Sequence, residues 1–359
     1  MRKARVRKGM PSVALSKVEF TERFKARFYD PVFAGNAREI EALLPQAWIS
    51  YHDGHKAPRT RKAGKSFADP SYDLSVEWLA AHQAIKAAER RHRDRASPAR
   101  ILIINGSMRS DQTCPGEVSK SWRLVTMARK VIEAKRGFAV EVLDLSRLAS
   151  EYGRVIHPCK ACVSTAMPLC HWPCSCYPNH AVGQVNDWMN EIYPMWVEAH
   201  GIMIVTPVNW YQAPAGLKAM IDRLVCADGG NPDPTSTHGK DAAAAKTLEL
   251  AGWPYPRHLS GRLFSVVVHG DTSGAETLRR ILTDWLTDMG LVPAGSKALL
   301  GRYVGYYRDY ATSHDDLDAD RAFQEEVRNA AETLAAAVRL ERKGKLAQPD
   351  AGLADPRPK

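Results

Sequence analysis

Five of the seven cysteines in this 359-residue chain fall within 18 positions: Cys159, Cys162, Cys170, Cys174 and Cys176. Such density in a reducing compartment points to metal or redox chemistry. A second group of residues, Asn105-Gly106-Ser107-Met108-Arg109-Ser110-Asp111-Gln112-Thr113, follows a short apolar run and precedes a helical pattern. Hydroxyls, a glycine and an arginine at such a junction supply what a phosphate needs: accessible backbone N–H groups, the positive end of a helix dipole and side-chain donors. The segment is neither Gly-x-Gly-x-x-Gly nor a Walker loop. A polar turn with an N-cap is the plainer account of it. A third segment, Thr206-Pro207-Val208-Asn209-Trp210-Tyr211-Gln212-Ala213-Pro214, sets two adjacent aromatics between an apolar run and a helix that carries Leu217, Lys218, Ile221, Asp222 and Arg223.

The elements that must position these groups alternate strand and helix from Arg100 onward, the pattern of a parallel α/β sheet. Ile101-Leu102-Ile103-Ile104 reads as a buried strand followed by a helix over 120–136, and Ala139-Val140-Glu141-Val142-Leu143 alternates as a second strand. After the cysteine segment, a helix over 184–199 leads to a third strand over 201–205 and a helix over 214–225. A fourth strand over 263–268, its helix over 275–289, a fifth strand within 291–300 and a long helix over 317–342 complete the pattern. Apolar strands each followed by a helix suit a doubly wound sheet that binds its ligand at the C-terminal strand ends.

Gly-Ser-x-Arg-Ser after the first strand and Thr-Pro-Val-x-Trp-Tyr-x-Ala-Pro-x-x-Leu-Lys-x-x-Ile-Asp-Arg after the third closely resemble the flavodoxin-like NAD(P)H-dependent FMN reductases and quinone or azo reductases. The resemblance covers about residues 100–300 and implies an α/β, flavodoxin-like five-stranded parallel sheet of order 2-1-3-4-5. It implies FMN at the strand ends, NAD(P)H as cosubstrate, and a small electron acceptor such as a flavin or a quinone. By match to the motifs, Ser107, Arg109 and Ser110 would bind the FMN phosphate. Pro207, Val208, Asn209, Trp210 and Tyr211 would line the isoalloxazine edge, and His269, Gly270 and Asp271 would touch the pyrimidine end. An insertion, Cys114-Pro115-Gly116-Glu117-Val118, departs from the pattern and leaves Thr113, Ser119 or Ser121 as the polar residue at the helix start. Relatives also place FMN near a dimer interface, so a homo-oligomer is expected by resemblance. An electron-transfer flavoprotein serving a protein partner is the alternative reading.

The cysteine segment lies where iron-sulfur flavoproteins similar to this family carry a compact four-cysteine motif. The resemblance therefore makes Cys159, Cys162, Cys170 and Cys174 candidate ligands of an iron-sulfur cluster. The spacing departs from that motif, and zinc, a redox thiol or disulfide, and a loop with no cofactor stay open. The long insertion over 227–260 is placed to shape substrate access. Its Asp228 and Asp233 do not have EF-hand spacing, and His238 and Lys240 read as phosphate contacts or as solvated residues.

Charge separates the chain into parts. The formal net charge is +10, yet residues 1–100 hold 21 Lys and Arg against 11 Asp and Glu, whereas the remainder holds 29 of each. Residues 1–98 thus read as a basic helical extension, 99–343 as the flavin domain and 344–359 as a disordered tail. In the extension, Ser16-Lys17-Val18-Glu19 is a capping box ahead of Phe20, Phe24 and Phe28, and helices are expected over 39–48 and 73–95. Lys56, Arg59, Arg61, Lys62 and Lys65 fall in an aperiodic loop or arm, a candidate contact for a cofactor phosphate. Part of the excess precedes Met10, which would itself make a plausible start. No nucleic-acid motif accompanies the charge, so a nucleic-acid partner is not expected. The apolar runs fall far short of the ~20 residues of a membrane helix, and no signal h-region follows the basic N-terminus, so a cytoplasmic protein without a membrane span is expected.

Overall fold

The computed structural model describes residues 14–52, 59–113, 116, 118–177, 187–306, 308–309 and 312–347. Lys56, Cys114, Pro115, Glu117, Tyr307, Tyr310, the stretch before Met10, positions 184–186 of an expected helix and the tail from 348 lie outside them. Two compact units divide the chain. One comprises Met1–Gln83, Gly153–Asn190 and Gly229–Tyr255, the other Ala84–Tyr152, Glu191–Asp228 and Pro256–Lys359.

In the first unit, α1 (Lys17–Lys25) starts at the expected capping box, with Ser16 and Glu19 bonding each other's backbone N–H groups. It pairs with α2 (Ala37–His52), where Phe20 packs 5.4 Å from Trp48 and 4.9 Å from Tyr51 between ring centroids. Part of the expected arm is a strand: β1 (Thr60–Lys62) pairs antiparallel with β2 (Asp73–Ser75). Asp73 to Ser75 therefore belong to this hairpin, and helix α3 begins only at Val76 (Val76–Arg93). Lys62 is ion-paired with Asp73 at 2.9 Å and Arg59 with Glu77 at 3.6 Å. The loop between the strands is tied to the 227–260 insertion, since Ala68 and Asp69 donate backbone N–H bonds to Asp233 (2.7 Å) and Thr235 (3.0 Å). The insertion itself carries α8 (Ala242–Leu250), so it has secondary structure of its own.

The second unit holds a parallel sheet of β3 (Ala99–Asn105), β4 (Phe138–Asp144), β5 (Gly201–Pro207), β6 (Leu263–Gly270), β7 (Val292–Pro293) and β8 (Leu299–Tyr303). The order is β4-β3-β5-β6, with both β7 and β8 on the outer side of β6. This is the 2-1-3-4-5 order with its fifth position split. Pro293 has no N–H to continue a ladder, and a 3-10 turn over Ser296–Ala298 resets the chain before β8. The almost fully buried β3, β5 and β6 are covered on both faces, as central parallel strands require.

Helices follow the strands: α4 (Lys120–Glu133), the single turn α5 (Arg147–Ser150), α6 (Met189–Glu198), α7 (Ala215–Arg223) and α9 (Ala275–Asp288). The expected helix over 317–342 is two helices, α10 (Ser313–Ala319) and α11 (Arg321–Arg342), because Asp320 caps the second by accepting from Phe323 N–H at 2.8 Å. One face of α11, through Phe323, Val327, Ala330, Leu334 and Val338, joins α4 over Ile101, Ile103, Met203 and Val205. Gly201 permits this approach: a Cβ there would come within 2.8 Å of Val338. Each fully buried side chain of this kind contributes about 1.5–3 kcal/mol.

Two histidines close the opposite end of the sheet from the strand-end loops. His92 and His200 stack at 4.5 Å between centroids. Arg100 donates its backbone N–H to His200 Nδ1 at 3.1 Å, so the ring proton lies on Nε2, which faces His92 O at 2.9 Å. Protonating Nδ1 would break the first bond, and burial pushes both rings down to about 4. Folded values below the unfolded value of about 6.5 mean that this stability is complete above pH 6.5 and is lost as pH falls through 4. A cost of about 1–3 kcal/mol is expected over that window. The melting temperature should therefore drop by several degrees between pH 7 and pH 5. The drop should shrink in His92→Gln/His200→Gln, and a flat profile in the parent protein would count against the account.

Candidate active site

The loops after β3, β5 and β6 meet at one end of the sheet because parallel strands present all their C-terminal ends together. They enclose a cavity of about 210 Å³ lined by Ser107, Met108, Arg109, Ser119, Lys120, Ser121, Pro207, Val208, Asn209, His269, Gly270 and Asp271. An adjoining cavity of about 240 Å³ shares Arg109 and Ser119 and adds Ser110, Asp111, Val118 and Trp122.

Backbone ties fix the geometry. Gly106 N–H donates to Val205 O at 2.8 Å, and Val208 N–H donates to His269 O at 2.8 Å, so each loop begins locked to its neighbouring strand. A Cβ on Gly106 would lie 2.5 Å from Thr206 Oγ1, and one on Gly270 would lie 2.5 Å from Val208 Cγ1. The side chains of the first loop hold its turn: Ser107 Oγ accepts from Arg109 N–H at 3.2 Å, and Asn105 Nδ2 donates to Asp144 at 2.8 Å. Ser119 is the N-cap of α4, accepting from Trp122 N–H at 3.0 Å. Thr113 Oγ1 is used on Ser110, donating to its carbonyl at 2.8 Å, and Thr113 lines neither cavity. Of the candidates for the helix-start residue, Ser119 and Ser121 are the two that reach the main cavity.

His269 is buried, and its Nε2 is 2.7 Å from Ser121 Oγ. Burial first, then the cation of Lys120, pushes the imidazole down to about 3, so the ring is neutral near pH 7. Among the described residues its Nδ1 has no hydrogen-bond partner. A buried orphan nitrogen costs about 1–3 kcal/mol unless something else meets it, and this one belongs to a side chain that lines the cavity. Lys120 is also buried, with its ammonium on Ser313 Oγ. Burial lowers its pKa, Asp271 raises it and Arg109 lowers it further. Two cations and three serine hydroxyls form a donor set that fits a phosphate, and the orphan imidazole nitrogen adds a polar partner for an adjoining heterocycle. Lys120 is the member the sequence reading missed. Its signal was a lysine immediately after an N-cap serine, at the end of a helix where a cation is disfavoured.

The aromatic pair stands apart from the cavity walls. Asn209 and Gln212 exchange backbone bonds of 2.9 Å each way, closing a two-residue turn. Trp210 and Tyr211 occupy it with φ of 51° and 66° and are 95% and 59% exposed.

In the cysteine loop, Cys162 Sγ lies 3.2 Å from Cys176 Sγ, and the hydrogen bond from Cys176 is the main influence lowering the Cys162 pKa to about 7. Cys159 Sγ instead accepts from Ala161 N–H at 3.3 Å. Among the described residues no group of three or more His, Cys, Asp or Glu is arranged to hold a metal ion. The expected ligand set Cys159, Cys162, Cys170 and Cys174 is thus not assembled among the described residues, and the sulfur 3.2 Å from that of Cys162 belongs to Cys176, a residue outside that set. Asp233, one of the aspartates of the insertion, caps a turn by accepting from Thr235 N–H at 2.9 Å.

A larger cavity of about 590 Å³ lies between α1 and α2, walled mostly by Phe20, Phe24, Phe28, Leu43 and Tyr51. Among the described residues its cations are Arg23 and Arg27, so size and chemistry disagree, and the strand-end cavity is better equipped to react. Among the described residues, no helix is long and apolar enough to cross a membrane.

A search of curated proteins returns no match. Among solved structures the chain is similar to RosB with a bound flavin-phosphate intermediate (14% identity, 69% of this chain and 81% of that one, TM-score 0.48). It is also similar to an oxidoreductase from Corynebacterium diphtheriae (13%, 67% and 97%, 0.37) and to a flavone reductase (17%, 70% and 67%, 0.39). Likenesses at this level leave the chemistry to the site itself. The family model described as NADPH-dependent FMN reductase matches residues 99–303, more than half of the chain and all of the strand-end loops. The chain therefore belongs to the NADPH-dependent FMN reductase family and is a flavodoxin-like, NAD(P)H-dependent FMN oxidoreductase.

Proposed function

We propose that the strand-end cavity holds FMN and that the chain passes reducing equivalents from NADPH to a small planar acceptor, a flavin or a quinone. The observation that carries this reading is the convergence of Arg109, Lys120, Ser107, Ser119 and Ser121 with the orphan nitrogen of His269 in one cavity at the sheet's C-terminal edge. The flavin, when bound, supplies the hydride and electron chemistry.

The protein's part is to bind and orient. Arg109 and the serine hydroxyls meet the phosphate, with the α4 N-terminus adding its dipole. His269, neutral because of its burial, offers a hydrogen bond without adding charge. The loop from Pro207 to Asn209 supplies a wall to the same cavity. Exposed Trp210 and Tyr211 offer large flat faces beyond it, which favours planar, aromatic acceptors that stack.

The direct test is the visible spectrum of the purified protein, followed by anaerobic addition of NADPH. Rapid bleaching of a flavin band supports the reading. Bound flavin that NADPH leaves oxidised points instead to an electron carrier, and a colourless protein that FMN does not reconstitute overturns the cofactor assignment. Ser107→Ala/Arg109→Ala should weaken FMN binding by about 10- to 100-fold, the loss expected for charge-assisted hydrogen bonds of about 1.5–3 kcal/mol. Its melting temperature without FMN should stay near that of the parent. Unchanged affinity in a fluorescence titration would refute the phosphate-loop assignment.

A further inference from the structure

The cysteine loop holds a chemistry that the flavin site does not use. Cys162 opens a 3-10 turn (Cys162–Ser164) right after Ala161, whose φ of 50° turns the chain sharply. Its sulfur lies 3.2 Å from that of Cys176, although the two are fourteen positions apart in the chain. The approach is built in by the surrounding structure. Asn231 clamps the loop from both sides, donating its N–H to Cys170 O at 2.7 Å and accepting from Trp172 N–H at 2.8 Å. Buried His171 spans Ser175 Oγ at 2.6 Å and Thr237 Oγ1 at 3.1 Å. Lys240, anchored on Leu169 O at 2.8 Å, places its ammonium 3.9 Å from Cys162 Sγ. Neither Cys162 nor Cys176 is fully buried, so a small reagent can reach the pair.

We propose that Cys162 and Cys176 form a dithiol site that reacts with low-molecular-weight disulfides and closes into an intramolecular disulfide. The thiolate of Cys162 attacks one sulfur of the small disulfide; a protein–reagent S–S bond forms as the reagent's own S–S bond breaks, and one thiolate leaves. Cys176 then loses its proton and attacks the Cys162 sulfur, forming the Cys162–Cys176 bond and releasing the second thiolate. Two protein thiols are oxidised by two electrons and the reagent is reduced to two thiols, which take up the two protons. Cys162 is the attacker because the Lys240 ammonium faces its sulfur and favours the thiolate, while Cys176 resolves. Cys174, also hydrogen-bonded to Cys176, is the competitor that a test must separate.

The probe is glutathione disulfide, added at neutral pH to the full chain after reduction and desalting. Acid quench, alkylation, digestion and mass spectrometry then locate the bonds. The expected product is a Cys162–Cys176 link with release of two glutathione equivalents. Cys176→Ser should stop at a glutathione mixed disulfide on Cys162, with one equivalent released, and Cys174→Ser should still close the link. Lys240→Gln should slow the first step by about three- to tenfold, with Lys240→Arg retaining the parent rate as a control for folding. A link from Cys162 to Cys174, or glutathione scattered over several cysteines without a link, overturns the proposal. An unchanged rate in Lys240→Gln overturns the part assigned to Lys240, and a Cys176→Ser variant that forms no mixed disulfide on Cys162 overturns the choice of Cys162 as the attacker.

Discussion

Gly106→Ala is expected to lower FMN affinity by about 100-fold or more while the protein still folds, a larger loss than removing any one phosphate donor. The argument is steric. Gly106 is pinned to β5 by its N–H bond to Val205 O at 2.8 Å. The added methyl would lie 2.5 Å from Thr206 Oγ1, 2.7 Å from Thr206 Cβ and 3.1 Å from Leu217 Cδ2. Thr206 is fully buried, with its hydroxyl donated to Pro207 O at 3.0 Å, so it cannot swing aside. Relief must come from separating the ends of β3 and β5, which carries Ser107 and Arg109 away from Pro207 and Val208. Overpacking of this kind costs about 1–3 kcal/mol of stability, a modest share of a domain's total, but a shift of about 1 Å in the donors is enough to break a binding constellation. Gly106→Ala/Thr206→Gly, which reopens the space, should regain much of the affinity. Gly35→Ala, at a glycine with nothing within 4 Å, should be silent. Fluorescence titration with FMN beside thermal denaturation checks the set, and affinity of Gly106→Ala within twofold of the parent would sink the idea.

Why Gly106 matters was half legible in the sequence. The apolar runs Ile101 to Ile104 and Gly201 to Val205 state that two buried parallel strands exist, and a glycine after the first marks a close approach. The atom it approaches, Thr206, lies on the other strand, and only the register that pairs Asn105 with Val205 reveals the contact. The same limit explains the other departures. Lys120 gains its role from Ser313 and Asp271, which are far away in the chain and follow no local period. Thr60 to Lys62 is fully exposed, so β1 shows no alternation and its strand character comes from its partner alone. The cysteines read as a ligand series because their spacing is all that a sequence displays. The sulfur pairing instead follows from Ala161's turn and the clamp by Asn231, both set by tertiary contacts. The Asp320 break in the last helix was readable, since an aspartate three residues before an apolar phenylalanine is a capping signal. The unbroken apolar period on either side concealed it.

The turn at Trp210 and Tyr211 yields the second large effect, and it runs in opposite directions for stability and for activity. A two-residue turn whose central residues both have positive φ favours Asn-Gly, since side chains beyond Asn and Gly are disfavoured there. This chain instead puts its two bulkiest residue types at φ 51° and 66° and leaves Trp210 95% exposed. Holding such residues in the left-handed region costs about 1–2 kcal/mol each. Trp210 recovers little of that through burial, and Tyr211, 59% exposed, only part. Strain of this kind, kept at the rim of a cavity, is characteristic of functional positions. Trp210→Asn/Tyr211→Gly should therefore stabilise the protein by about 1–2 kcal/mol and raise its melting temperature by a few degrees. FMN affinity should change little, because neither side chain lines the cavity. Turnover with quinone or flavin acceptors should fall by about tenfold or more, chiefly through a higher KM, as the stacking faces are lost. Steady-state kinetics with a quinone, beside thermal denaturation, separates the two effects. A variant that is less stable than the parent would mean that the aromatic pair is held by packing, and one that is more stable with unchanged KM would leave the exposed rings without a part in acceptor binding.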